Sequence, residues 1–160
     1  MRMTMIALCF ALVLSVSASA QSRSIEGVWS LTEISSAAPS STPKLMAQPS
    51  MYLFTKKHYS IIYVSSVTPR PEMDDLSTAT ADDLRKVFVE SFVANAGTYE
   101  MKAGKITVRP MVAKSPGYMK AGTMSTLSVK IDGNTMTLTT EGTSSGPAAV
   151  PTTYKLKRVE

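Results

Sequence analysis

One histidine, His58, and one cysteine, Cys9 near the start, set a low ceiling on the chemistry this chain can perform. A Ser-His-acid nucleophile would have to use His58. It stands beside Lys56 and Lys57 in what reads as a turn, where a solvent-exposed histidine is the plainer reading. A metal centre needs several converging ligands, and a lone histidine without thiolates does not supply them. No metal and no cofactor are expected, and nothing near His58 marks a haem site. Two acid pairs, Asp74-Asp75 and Asp82-Asp83, adjoin in sequence, whereas acid–base catalysis needs carboxylates converging on a cleft with shifted pKa values. Glu33, Glu100, Tyr63 and Arg109 remain as groups for a cyclase or isomerase that shapes a hydrophobic substrate. They would serve only if they turned inward, and solvent is the reading kept ahead for the two acids, so no catalytic residue is assigned. The methionines Met46, Met51, Met73, Met101, Met111, Met119, Met124 and Met136 are dispersed rather than clustered as a copper site would want. Such flexible side chains fill an irregular core, or line a pocket that tolerates several guests.

Positioning these groups falls almost wholly to strands. From Gly27 the chain alternates, with Gly27, Trp29, Leu31 and Glu33 on one face and Val28, Ser30, Thr32 and Ile34 on the other, the pattern of a half-buried strand. Residues 35–49 are rich in Ser, Ala and Pro and read as a long loop. Strands are expected at 51–55 and 59–64, joined through Lys56-Lys57-His58, with Tyr52 and Phe54 on one face of the first and Tyr59, Ile61 and Tyr63 on one face of the second. Residues 65–78 form an extended excursion. A helix over 80–94 is expected next. Thr80 and Asp83 approach a capping box, Asp82 and Asp83 suit the positive end of the helix dipole, and Leu84, Val87, Phe88, Ser91 and Phe92 form an apolar stripe that must lie on the sheet. Asn95-Ala96-Gly97 would end it. Strands at 98–102 and 105–113 flank Ala103-Gly104, and strands at 124–131 and 135–141 flank Asp132-Gly133-Asn134, a strong hairpin signal. A last strand at 152–159 places Tyr154, Leu156 and Arg158 on one face. Pro110 implies a bulge or an edge-like break in its strand.

The first twenty residues read as an address. Arg2 precedes a nearly continuous apolar run from Met5 to Val16, and Ala18-Ser19-Ala20 fits a secretory cleavage site. The run is shorter than the roughly 20 apolar residues a membrane span needs, and Cys9 lacks the small-residue context of a lipid attachment site. Removal of residues 1–20 would leave 21–160 as one domain, without cysteine, folding on its packed core alone. Losing Arg2 lowers the formal net charge from +5 to +4. Basic residues are scattered among acids, with no aromatic-laced basic stripe, so nucleic acid is not an expected partner. Stable membrane insertion after cleavage is not expected either, and the protein should be a monomer or weak dimer, secreted or periplasmic.

Eight consecutive antiparallel strands with hairpin links predict an all-β, up-and-down barrel with one amphipathic α-helix between the third and fourth strands, a two-sheet sandwich being the alternative. Gly27-Val28-Trp29-Ser30-Leu31, Phe92 through Met101, Ser115-Pro116-Gly117-Tyr118 and Leu156-Lys157-Arg158-Val159, in this order, resemble the lipocalin-like domain of bacterial proteins within the calycin group. The resemblance implies a barrel open at one end and, by analogy with better-known relatives, binding of a small apolar molecule. It also implies that Trp29 plugs the closed end with Arg158 lying across it, so that Gly27, Trp29 and Arg158 are structural. Family members often carry a histidine pair on the fifth strand; here the stretch is Ile106-Thr107-Val108-Arg109-Pro110, without histidine.

The leading expectation is therefore an exported protein that binds a small hydrophobic or amphipathic molecule, with Tyr52, Phe54, Tyr59, Ile61, Tyr63, Phe88, Phe92, Tyr99 and Met101 as candidate contacts. A filled barrel acting as a structural or interaction protein of the envelope, docking through its long loops, is the alternative, and the cyclase or isomerase comes third. In an exporting host the mature chain is expected to begin at Gln21. Intact mass and N-terminal sequencing check this, and an unprocessed chain in the membrane fraction is the opposing result.

Overall fold

Alternating β-formers become strands along most of the chain in the computed structural model, which describes residues 24–39, 44–45, 48–73 and 75–160. The leader reading, Met46, Asp74 and parts of the first loop lie outside the described residues. The strands are β1 (Gly27–Ser36), β2 (Lys44–Leu45), β3 (Ser50–Phe54), β4 (His58–Val64), β5 (Phe92–Lys102), β6 (Lys105–Ala113), β7 (Ser125–Asp132), β8 (Thr135–Thr143), β9 (Gly146–Pro147) and β10 (Thr152–Arg158). β2 and β9 are two-residue additions to β1 and β8. The other eight run antiparallel to their neighbours in the order β10-β1-β3-β4-β5-β6-β7-β8, and β10 also pairs with β8. The sheet thus closes into the expected eight-stranded barrel, and the sandwich is excluded.

One end is sealed. The hairpin turns after Phe54, Lys102 and Asp132 lie there, together with the start of β1 and the end of β10. Trp29 is wholly buried, its indole N–H donates to the Ile25 carbonyl at 2.9 Å, and the Arg158 guanidinium carbon lies 4.0 Å from the ring centroid. Arg158 also donates to the carbonyls of Glu26 (2.8 Å) and Ser24 (2.7 Å), so one side chain covers the plug and ties down the lead-in. Gly27 has φ +128°, and a Cβ there would stand 2.5 Å from the Glu160 carbonyl oxygen; only glycine fits that backbone and that space. Phe54 meets Tyr99 edge-on at 5.5 Å, and the Tyr99 hydroxyl donates to the Thr55 carbonyl at 2.6 Å.

The opposite end splays because two ladders stop short. β1 pairs with β3 only over Gly27–Trp29, and β6 pairs with β7 only from Lys105 to Val108, both near the sealed end. The register slips between Ala96 and Gly97, leaving Met111 as an extra residue on β6 beside Pro110, the irregularity that Pro110 implied. Gly97 permits it, since a Cβ would lie 2.0 Å from the Arg109 carbonyl oxygen.

Several sequence expectations need correction. The alternation of β1 breaks at a bulge between Leu31 and Glu33, so beyond it Ile34, not Glu33, packs on the core, and the strand runs through Ser35 and Ser36. The helix is shorter than 80–94. It comprises an α turn, α1 (Ala81–Leu84), continued by a π turn over Arg85–Glu90. Its Thr80–Asp83 capping box is complete. The wider turn breaks the 3.6-residue spacing, so the stripe does not lie on the sheet: Val87 is buried, while Leu84, Phe88 and Val89 are exposed. Residues 92–97 extend β5 instead, because their six paired positions with β4 outweigh the local helical period. Polar groups hold the helix to the rim. Lys114 Nζ donates to the carbonyls of Val89 (2.9 Å) and Phe92, Ser65 Oγ donates to the Glu90 carbonyl (3.1 Å), and Arg70 lies 5.0 Å over the Phe92 ring. Met136 is in the core, but Met51, Met101, Met111, Met119 and Met124 are exposed: Met51 faces outward on β3, Met101 lies at the end of β5, Met111 is the extra residue beside Pro110, and Met119 and Met124 belong to the connection between β6 and β7.

Trp29→Ala removes the plug and is expected to cost about 3–5 kcal/mol, as truncation of a large core aromatic does. Denaturant unfolding checks it, and an unchanged midpoint would show the plug to be dispensable.

Candidate functional site

Above the plug the inward-facing residues of seven strands leave a cavity of about 300 Å³. Tyr59, Ile106, Val108 and Leu138 form its lower part, next to the sealed end. Tyr52, Ile61, Tyr63, Asn95, Leu127 and Tyr154 form the walls. Tyr118, from the short 3-10 turn Pro116–Met119, joins Ser125, Thr143 and Thr152 at the mouth. Strand parity puts these side chains inside, and the two short ladders keep the upper barrel wide enough to leave space between them.

Five of the six tyrosines line this space. Tyr52 and Tyr63 stack with centroids 5.9 Å apart and planes 20° from parallel, and Tyr154 meets Tyr63 edge-on at 6.4 Å. The hydroxyls of Tyr63 and Tyr154 lie close to each other, and that of Tyr154 also lies close to Thr140. Burial pushes the phenols of Tyr52, Tyr63 and Tyr154 upward, with the neighbouring tyrosines adding to the shift of Tyr52 and Tyr63. Burial alone pushes Tyr59 up to about 12. All four are therefore neutral phenols at physiological pH and present hydroxyls rather than charge. Tyr59 Oη is inaccessible and has no hydrogen-bond partner among the described residues. Among the described residues the cavity lining contains no Asp, Glu, His, Lys or Arg.

Of the candidate contacts expected from sequence, Tyr52, Tyr59, Ile61 and Tyr63 lie on the cavity surface. Phe54 and Tyr99 belong to the packed cluster toward the sealed end. Phe92 sits at the rim beneath Arg70. Phe88 and Met101 are about half exposed (48% and 49%) and line no part of the cavity: Phe88 stands on the π turn, and Met101, although it shares the face of Tyr99 and lies opposite Ile106, stands at the end of β5 beside the turn at the sealed end. Asn95, Tyr118, Leu127, Leu138 and Tyr154 were missed. The alternation of β8 and β10 marks Leu138 and Tyr154 as inward. Asn95 was hidden by its assignment to a helix end, and Tyr118, in an irregular loop, carries no periodic signal.

The groups weighed for acid–base work turn outward. Glu33 pairs with Lys155 at 2.8 Å and Glu100 with Arg109 at 3.4 Å, both on the outer surface, where such pairs contribute about 0–1 kcal/mol. His58 is exposed at the first position of β4. Of the proposed quartet only Tyr63 faces the cavity, and its raised pKa makes it a weak acid that stays protonated at physiological pH.

No protein-family model matches the sequence, and no curated protein matches it significantly. Two solved structures are similar in shape: a lipocalin-like protein from Bacteroides uniformis (16% identity, TM-score 0.47, covering 83% of this chain and 96% of that one) and an uncharacterized protein from Bacteroides eggerthii (15% identity, TM-score 0.45, covering 83% and 98%). The barrel is read from the strand pairing of this chain itself.

The tyrosine cluster makes stability depend on alkaline pH. These phenols hold their protons more tightly in the folded chain than in the unfolded one, where the pKa is about 10. Their contribution is complete below that value and is lost as pH rises toward about 12, where Tyr59 ionises. The melting temperature is expected to stay level from neutral to about pH 10 and then fall, with tyrosinate absorbance in the native protein rising later than in the unfolded chain. Coincident titration of the two would contradict the burial of the cluster.

Proposed function

We propose that this is an exported protein that holds a small, mainly apolar molecule inside its barrel. The observation that carries the reading is the cavity of about 300 Å³, walled by tyrosines and aliphatic side chains above a separately sealed end. Ligand sites are concave and mostly apolar with a few placed polar groups, and this volume is at the lower end of their range. The guest is accordingly compact, a ring system or short chain rather than a long acyl tail. Export rests on the basic, apolar and small-residue order of the first twenty residues. A filled barrel with a purely structural role is disfavoured by the same cavity, and an isomerase by the outward turn of Glu33, Glu100 and Arg109.

Compact lipophiles are expected to raise the melting temperature in a concentration-dependent way, by up to about 2.7 kcal/mol of stability at a hundred times Kd. Ile61→Trp, placed on the cavity wall, should fold and abolish that shift. A screen without any shift, or shifts indifferent to the Ile61 substitution, would contradict binding inside the barrel.

A further inference from the structure

Residues 109–124 leave the β6–β7 ladder once it stops at Val108 and Ser125, and the turn between β8 and β9 lies beside them. Between these two connections is an open crevice of about 580 Å³ that shares Tyr118, Ser125 and Thr143 with the barrel cavity. Resting on the binding reading above, we propose that the guest is an anionic amphiphile: its apolar body fills the barrel cavity, and its carboxylate, sulfate or phosphate head sits in the outer crevice on Lys120 and the surrounding hydroxyls.

Three observations lead there. The first is continuity. Tyr118, Ser125 and Thr143 stand where one space opens into the other, so a guest longer than the barrel cavity emerges among them. The second is composition. The crevice carries the hydroxyls of Ser115, Thr123, Ser125, Thr143, Ser144 and Ser145 and the exposed ammonium of Lys120, with no acid among its described lining residues. Hydroxyls and an ammonium donate hydrogen bonds to anionic oxygen, and at an open mouth the head keeps part of its water. The backbone holds the set in place. The Ser144 N–H donates to the Met124 carbonyl at 3.0 Å, tying the two connections together, and the Thr123 N–H donates to the Lys120 carbonyl at 3.1 Å, closing the turn that carries the lysine. The third is charge. No Asp or Glu occurs in residues 101–131 or 142–159. Among the described residues no acid pairs with Lys120, whereas Lys105, Arg109 and Lys155 are each matched by a glutamate. Acids at the open end belong to the connection between β4 and β5, as Glu72, Asp75, Asp82, Asp83 and Glu90. An anion is thus drawn to one side of the mouth, while the interior, which offers no counter-charge, admits only the apolar end.

Octyl sulfate, octyl glucoside and octyltrimethylammonium share a tail and differ in the head, so calorimetric titration of the full mature chain, below the concentrations at which they form micelles, isolates the crevice. The sulfate should bind tightest and the ammonium roughly tenfold weaker, because Lys120 attracts the first head and repels the second. Lys120→Gln, an exposed change outside the core, should weaken the sulfate about threefold, leave the glucoside unchanged and flatten the fall of sulfate affinity with added salt. Ile61→Trp should abolish binding of all three. Ammonium binding as tight as that of the sulfate, or a Lys120→Gln variant that holds the sulfate undiminished, would overturn the anionic head. Tightest binding of the glucoside would overturn it in favour of an uncharged, hydroxylated one. Sulfate binding that survives Ile61→Trp would overturn the placement of the tail in the barrel. Silence from all three probes alongside hits in the lipophile screen overturns this inference and leaves the binding reading standing. Silence in both overturns the binding reading itself.

Discussion

Strand β10 is hydrogen-bonded along both edges, to β1 on one side and β8 on the other, and this double pairing turns a meander into a barrel. At its centre Leu156 stands opposite both Leu31 and Met136, all three essentially without accessible surface. Two positions on, Arg158 stands opposite Trp29 and covers its ring. Closure of the sheet and sealing of its lower end are therefore a single event, accomplished by the last strand of the chain. Without it β1 and β8 would both be open edges, and the tryptophan would lose its cover. Because the β1–β10 ladder spans the greatest separation in sequence, closure comes at a high cost in chain entropy, recovered through the apolar residues that meet on its inner face.

That arrangement divides the interior into two regions with different physical character. Toward the sealed end, Trp29, Phe54, Tyr99 and Leu31 interlock, and the barrel is solid. Toward the other end the β1–β3 and β6–β7 ladders give out, the wall spreads, and side chains that face inward no longer meet across the middle. The tyrosines fall at this transition. Their rings line the wall, and their hydroxyls supply polarity without charge, so the hollow stays apolar enough to avoid collapse into a hydrated cleft and polar enough to orient what lies within it.

The strands were legible because period-two alternation is a local property, and the turns because Gly104 and Gly133 take positive φ where the chain reverses. The paired faces Tyr52 and Phe54, then Tyr59, Ile61 and Tyr63, followed directly, and the Trp29–Arg158 contact was anticipated through a resemblance rather than through any periodicity. What escaped was set by partners far away in sequence. Phe92 continues the helical apolar spacing of the residues before it, yet β4 offers residues 92–97 a full ladder, and tertiary pairing overrides a weak local preference. The bulge after Leu31 reverses which face Glu33 and Ile34 occupy, an effect of one residue that no alternation count contains. The helix shows the reverse failing: its start was readable from Thr80 and Asp83, but its attachment depends on Lys114 and Ser65, cations and hydroxyls reaching its last carbonyls from other elements.

Pro110 has a meaning beyond the kink it introduces. Past Val108, the side of β6 that would face β7 is unpaired, and exposed Met111 and Val112 lie along it. An unpaired edge flanked by apolar side chains is the usual template on which a second chain adds a strand and aggregation begins. Here a would-be neighbour meets a proline that offers no N–H and, one residue later, a bulge that throws the edge out of register. The widened mouth thus leaves an edge that cannot extend a regular ladder: the barrel stays partly unzipped there without offering a matched template for a further strand.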